Sequence, residues 1–203
     1  MNLNIFKPSD VIQDNIDRPN MGMALFLVLV PSLMWILFNF YYGFMIDFLA
    51  LGYAVLKGYV LLVITTLLFY LTGYLFRGRE LKGKLGGVMT AVSVLWVFIA
   101  LLSILGFALI MLVPADTVTS LKVLDQYGAS YEQVMGSTTL TNLEISDAMV
   151  TGFIMIFLVG FAVILWYFYY AYKLIKVLTK KPILLSFVMT LILLFLVGLV
   201  PLP

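Results

Sequence analysis

The sequence contains no histidine and no cysteine among its 203 residues, and only 11% of them are charged. Each shortage excludes chemistry. Without His and Cys there is no Ser-His-Asp or Cys-His nucleophile. There is no Cys/His zinc site, no haem held by protein His or Cys, and no iron–sulfur cluster. No disulfide can form, so the redox compartment is not legible. The eleven methionines are the residue type that fills gaps in apolar packing. Ten carboxylates are the only hard ligands left, and no cofactor, metal site or nucleic-acid partner is expected.

What is present is apolar. Hydrophobic residues make up 64% of the chain, against about 45–50% in soluble domains, where about 25% are charged. A water-facing exterior cannot be covered with so little polarity. A span needs about 20 apolar residues, and five stretches qualify: 21–40 with Pro31 inside it, 58–76, 88–113, 148–172 and 183–200. The second has an alternative start near Leu49. Helices are required because lipid offers no partners for backbone polar groups. Runs such as 24–30 and 191–197 lack the alternation of a β-barrel strand. The expected fold is all-α: a bundle of five transmembrane helices over 21–203, after an N-terminal segment 1–20.

Charge sets the expected direction. Lys7, Arg18, Arg77, Arg79, Lys82, Lys84, Lys173, Lys176, Lys180 and Lys181 fall on one side of such a bundle, and only Lys57 and Lys122 on the other. Positive residues mark the cytoplasmic side, so the N-terminus is expected there and Pro201–Pro203 outside or in a lumen. The first apolar run is longer than a signal peptide's and no small-residue cleavage pattern follows it, so it is expected to stay in the protein.

Residues 8–20 suggest a short helix with Ser9 as N-cap and Pro19 beyond its end, placing Val11, Ile12 and Ile16 on one face. It either lies at the cytoplasmic membrane surface or packs as a cap on the spans. The external segment 114–147 has helical potential over 117–127. Phe69-Tyr70, a basic turn and Val88-Met89-Thr90 are echoed by Phe168-Tyr169, a basic turn and Val188-Met189-Thr190. That echo raises a parallel repeat of hairpins.

The order of a short N-terminal segment, five spans and basic turns after spans two and four resembles the Yip1-domain family of membrane proteins. The likeness lies in three places: Phe6-Lys7-Pro8-Ser9-Asp10-Val11-Ile12 through Asp17-Arg18-Pro19; the turn Phe76-Arg77-Gly78-Arg79-Glu80-Leu81-Lys82; and Ile164-Leu165-Trp166 running to Lys180-Lys181-Pro182. It implies a prokaryotic or archaeal-type member in the cell membrane. The family often has a proline within span three, and 92–99 has none. Its eukaryotic members bind small GTPases with the help of long N-termini. Only about twenty residues precede span one here, so GTPase binding is not expected.

Two sets of residues are candidate sites. Arg77, Arg79, Lys82, Lys84, Lys173, Lys176, Lys180 and Lys181 occupy the two basic turns, where cations attract anionic lipid. Asp47 and Lys57 stand ten apart near the outer ends of spans one and two. They either pair in a polar pocket or snorkel to water. Asp147 at the start of span four suits a helix dipole. Thr65, Thr66, Thr90, Ser93, Ser103, Ser186 and Thr190 are the small polar residues of the spans, expected to serve packing. The expected function is a non-enzymatic membrane organiser or scaffold acting through lipids, other membrane proteins or self-association. The alternative is a small transporter or channel using the Asp47–Lys57 pocket.

Overall fold

The computed structural model describes residues 6–41, 48–112 and 147–198, and every regular element among them is helical. In chain order these are α1 (Pro8–Asp17), α2 (Met21–Tyr41), α3 (Phe48–Arg77), a 3₁₀ turn (Gly78–Leu81), α4 (Leu85–Ser93), α5 (Leu95–Met111), α6 (Asp147–Thr179) and α7 (Ile183–Gly198). Three stretches are long and apolar enough to cross a membrane: Leu51–Leu81, Leu85–Leu109 and Val150–Thr179. A shorter apolar stretch covers Met21–Met34. Asp47, the 117–127 segment and 201–203 lie outside the described residues, as does the side chain of Asp147.

The second and fourth apolar segments are longer than the 58–76 and 148–172 expected of them. Residues 48–57 join α3, which reaches 30 residues, and α6 reaches 33. At 1.5 Å per residue these run about 45 and 50 Å, past a hydrocarbon core of about 30 Å. The fall in hydropathy after Tyr172 marks where apolar surface ends, not where the helix ends. Leu174, Ile175 and Leu178 are buried on the extension, so packing carries the helix on to Thr179. Lys173 and Lys176 therefore stand on a helix and not in a turn. Lys180 then takes a left-handed backbone, φ 53°, and Pro182 precedes α7.

The third segment differs in kind. It is broken at Val94 without a proline. Side-chain hydroxyls compete there for the backbone: Thr90 Oγ1 donates to the Gly86 carbonyl (2.9 Å) and Ser93 Oγ to the Thr90 carbonyl (2.8 Å). From α6, the Tyr170 hydroxyl donates to the Ala91 carbonyl at 3.1 Å. A tight Val97-to-Val94 backbone bond of 3.0 Å follows the break. Carbonyls at a helix end need such partners.

Helix α1 is a packed cap. It lies against α4 and α6, with Val11, Ile12, Asn15 and Ile16 buried, and so it does not spread its apolar face on lipid. It begins at Pro8, a favoured first helical position; Lys7 occupies the N-cap and Ser9 sits inside the helix. Gly87 of α4 permits the close approach. A Cβ there would stand 2.8 and 2.9 Å from Ile16 Cα and C. Asn20 then caps α2, its side-chain oxygen accepting from the Met23 N–H at 2.9 Å. The Asn20 N–H donates to Thr90 Oγ1 at 3.2 Å, fastening this junction to α4.

The core concentrates at the end of the bundle where α1 sits. Phe69, Val88, Val92, Leu95, Phe98, Tyr170 and Leu174 are all at most 1% exposed. Elsewhere, large apolar side chains face outward, including Leu49 at 86%, Leu56 at 61% and Phe157 at 71%. An apolar exterior of this extent is compatible with an integral membrane location and would be costly in water. Pro31 lies within α2. The echoed hairpins pack alike only in part: Thr90 and Thr190 are both buried and each donates to the carbonyl four residues back, but Phe69 and Val88 are fully buried, whereas Phe168 and Val188 are 42% and 43% exposed.

Candidate functional site

The chemistry of the described residues gathers at the end of the bundle closed by α1. Helix α3 ends at Arg77, and the turn to α4 reverses through Gly78 and Gly83 at φ 52° and 80°, a backbone that glycine adopts without a Cβ clash. This turn brings Glu80 back beneath Arg77. One carboxylate oxygen, Oε2 of Glu80, accepts from Arg77 Nε (2.9 Å), Arg77 Nη2 (2.6 Å) and Lys180 Nζ (3.1 Å). Arg77 Nη1 donates to the Val177 carbonyl at 3.1 Å, satisfying one of the orphan carbonyls in the last turn of α6. The turn after α3 and the end of α6 are thus fastened through Arg77 and Glu80.

A second pair fastens α1 to the same turn. Lys84 Nζ lies 2.8 Å from Asp17 Oδ1, and Gln13 Nε2 donates to Asp17 Oδ2 at 2.7 Å. The Lys84 and Gln13 hydrogen bonds hold the Asp17 carboxyl below the usual carboxylate range. Those of Arg77 and Lys180 do the same for Glu80. Asp17, Lys84, Glu80 and Lys180 are exposed, though the Arg77 side chain is only 16% exposed, and exposed pairs contribute little stability. Their effect is positional.

The eight cations of the basic turns therefore separate. Arg77 and Lys180 meet at Glu80, and Lys84 meets Asp17. Arg79, Lys82, Lys173, Lys176 and Lys181 meet no carboxylate within 4 Å among the described residues. Lys181 Nζ lies 5.1 Å from the centre of the Phe76 ring, and Lys173 Nζ lies 5.3 Å from that of Tyr169. Trp166 and Tyr169 rings are 5.7 Å apart, and Phe6 approaches Trp166 edge-on at 5.9 Å. Arg79 and Lys82 are exposed on the turn.

Lys57 is half-buried on α3. Its relation to Asp47 lies outside the described residues. No group of three or more carboxylates that could hold a metal ion occurs among the described residues. Of the small polar residues, Thr90, Ser93, Ser103, Ser186 and Thr190 donate to carbonyls of their own segment. The Thr65 and Thr66 hydroxyls are buried on α3 and meet no partner among the described residues. Between α5 and α6 runs a groove of about 290 Å³, lined only by apolar residues such as Leu105, Gly106, Phe157 and Gly160. It offers shape without polar chemistry.

Sequence reasoning pointed to the cations and missed their counter-charges. Glu80 was within reach of it, three residues after Arg77, a spacing at which opposite charges meet. Asp17 was not, because it reaches Lys84 across 67 residues. No family model matches the chain, and no curated protein or solved structure matches it.

Proposed function

We propose that this chain is a non-enzymatic integral membrane protein of five spans, namely α2, α3, α4 with α5, α6 and α7, with its basic end in the cytoplasm. It organises the membrane through contacts with lipid and with other helices. The observation that carries this reading is the placement of charge. Cations gather at one end, partly fixed there by Glu80 and Asp17, and large apolar side chains face outward over the remaining length. Positive charge beside an apolar belt is the arrangement that meets an anionic leaflet.

The resemblance to the Yip1-domain family supports the same assignment. The break at Val94 falls in the part of span three where that family often carries proline. Residues 8–17, ahead of α2, are folded as a cap on the bundle.

Reconstitution separates an organiser from a conduit. Vesicles containing the protein are expected to pass monovalent ions no faster than protein-free vesicles. Saturable flux that is lost in Asp47→Asn or Lys57→Gln would replace this reading with a transporter or channel.

A further inference from the structure

We infer that the face of α6 carrying Trp166, Tyr169, Lys173 and Lys176 is a binding site for the head group of an anionic phospholipid. The inference rests on the reading that the basic end meets lipid, and it assigns that contact to particular residues. The spacing of 3, 7 and 10 residues holds the four positions within an arc of about 80° at 100° per residue. Tyr170, Leu174 and Leu178, which are buried, lie on another side of the helix. Tyr169 is exposed and Lys173 and Lys176 are half-buried, while Trp166 packs at the edge of the core, so the face flanks the core and opens outward at Tyr169.

Its composition changes along the helix in the order a leaflet demands. Trp166 and Tyr169 come first, nearest the apolar length of α6. Their rings are 5.7 Å apart, and Phe6, 78% exposed, adds a third ring 5.9 Å from Trp166. Aromatic side chains with one polar edge settle at the boundary between acyl chains and head groups. The two lysines follow, one and two turns nearer the basic end. Lys173 is already oriented, with Nζ 5.3 Å from the centre of the Tyr169 ring.

The missing partner is an anion. Arg77, Lys84 and Lys180 each meet a carboxylate of this chain. Lys173 and Lys176 meet none within 4 Å among the described residues. At that depth the available counter-charge is a lipid phosphate. A zwitterionic lipid brings its own cation to the phosphate, so two uncompensated ammonium groups select a lipid with net negative charge. Arg79 and Lys82 also lack a carboxylate partner, but they sit on the exposed turn with no described aromatic contact beside them.

The test compares thermal melting of the full chain in a non-ionic detergent with added phosphatidylglycerol, phosphatidylcholine or inorganic phosphate. Wild type is expected to be stabilised by phosphatidylglycerol alone. Lys173→Gln with Lys176→Gln should weaken that response about 30-fold in apparent affinity, at about 1 kcal/mol per cation. Its melting without added lipid should stay unchanged. Lys173→Arg with Lys176→Arg should retain the response, as should Arg79→Gln with Lys82→Gln. An undiminished response in the Gln pair at 173 and 176 overturns the site, and so does its loss in the 79 and 82 pair; in either case lipid contact at the basic end survives. Equal stabilisation by inorganic phosphate overturns the lipid as ligand. No response of wild type to phosphatidylglycerol overturns both the site and the lipid contact it rests on.

Discussion

Tyr170→Ala is expected to lower stability by about 3–5 kcal/mol, the range for deleting a large buried aromatic side chain. Tyr170 is fully buried on α6 and packs with Phe98 at a ring separation of 5.9 Å. It also reaches the Ala91 carbonyl at the end of α4. Tyr170→Phe keeps the ring and removes only the hydroxyl, leaving a buried carbonyl short of a partner, at a cost of about 1–3 kcal/mol. The two variants thus separate packing from the hydrogen bond. Unfolding in mixed micelles, followed by helical circular dichroism, reads both. If Tyr170→Phe matched wild type, the hydroxyl would not be what holds α6 to the break at Val94.

Gly87→Leu is expected to release α1 from the bundle. The obstacle to a Cβ at this position is the backbone of Ile16, and backbone cannot rotate aside as a side-chain tip can. Overpacking by a single methyl costs about 1–3 kcal/mol, so Gly87→Ala should loosen the cap and Gly87→Leu should displace it. Amide exchange reads this locally. Residues 8–17 should lose protection while α3 and α6 keep theirs, and unchanged protection over 8–17 in Gly87→Leu would refute the packed cap.

Acid should act on the same helix more gently. Because Lys84 and Gln13 lower the folded-state pKa of Asp17, its contribution is fully present above the ordinary carboxyl value of 3.8. It is lost as pH falls through the lower folded value. Exchange over 8–17 should therefore accelerate as pH drops below about 4, after correction for intrinsic rates, and Asp17→Asn should remove that step.

The apolar helices and the face of α1 were legible because they are local. Apolar runs announce helices in lipid, and the spacing of Val11, Ile12 and Ile16 announces a buried face. Whether that face met lipid or protein was not legible, because the answer lies in Gly87, some seventy residues on. The break at Val94 has no proline to signal it. It depends on hydroxyls of Thr90 and Ser93 choosing backbone carbonyls and on Tyr170, 79 residues away, donating to a third. The end of α6 is not legible from charge, which does not end this helix. Lys173 and Lys176 instead continue it, with Leu174, Ile175 and Leu178 buried among them. In the candidate site, the cations could be read but their sorting could not. Glu80 and Asp17 sort them through contacts across 100 and 67 residues.

The absence of cysteine from the chain makes sidedness directly measurable, since a single introduced thiol is the only target. Lys82→Cys on the turn after α3, Lys181→Cys after α6 and Ser130→Cys within 114–147 should be treated in cells with a membrane-impermeant maleimide. Labelling of Ser130→Cys in intact cells, with Lys82→Cys and Lys181→Cys labelled only after permeabilisation, is the predicted result. Labelling of Lys82→Cys or Lys181→Cys in intact cells would contradict a bundle whose basic end faces the cytoplasm.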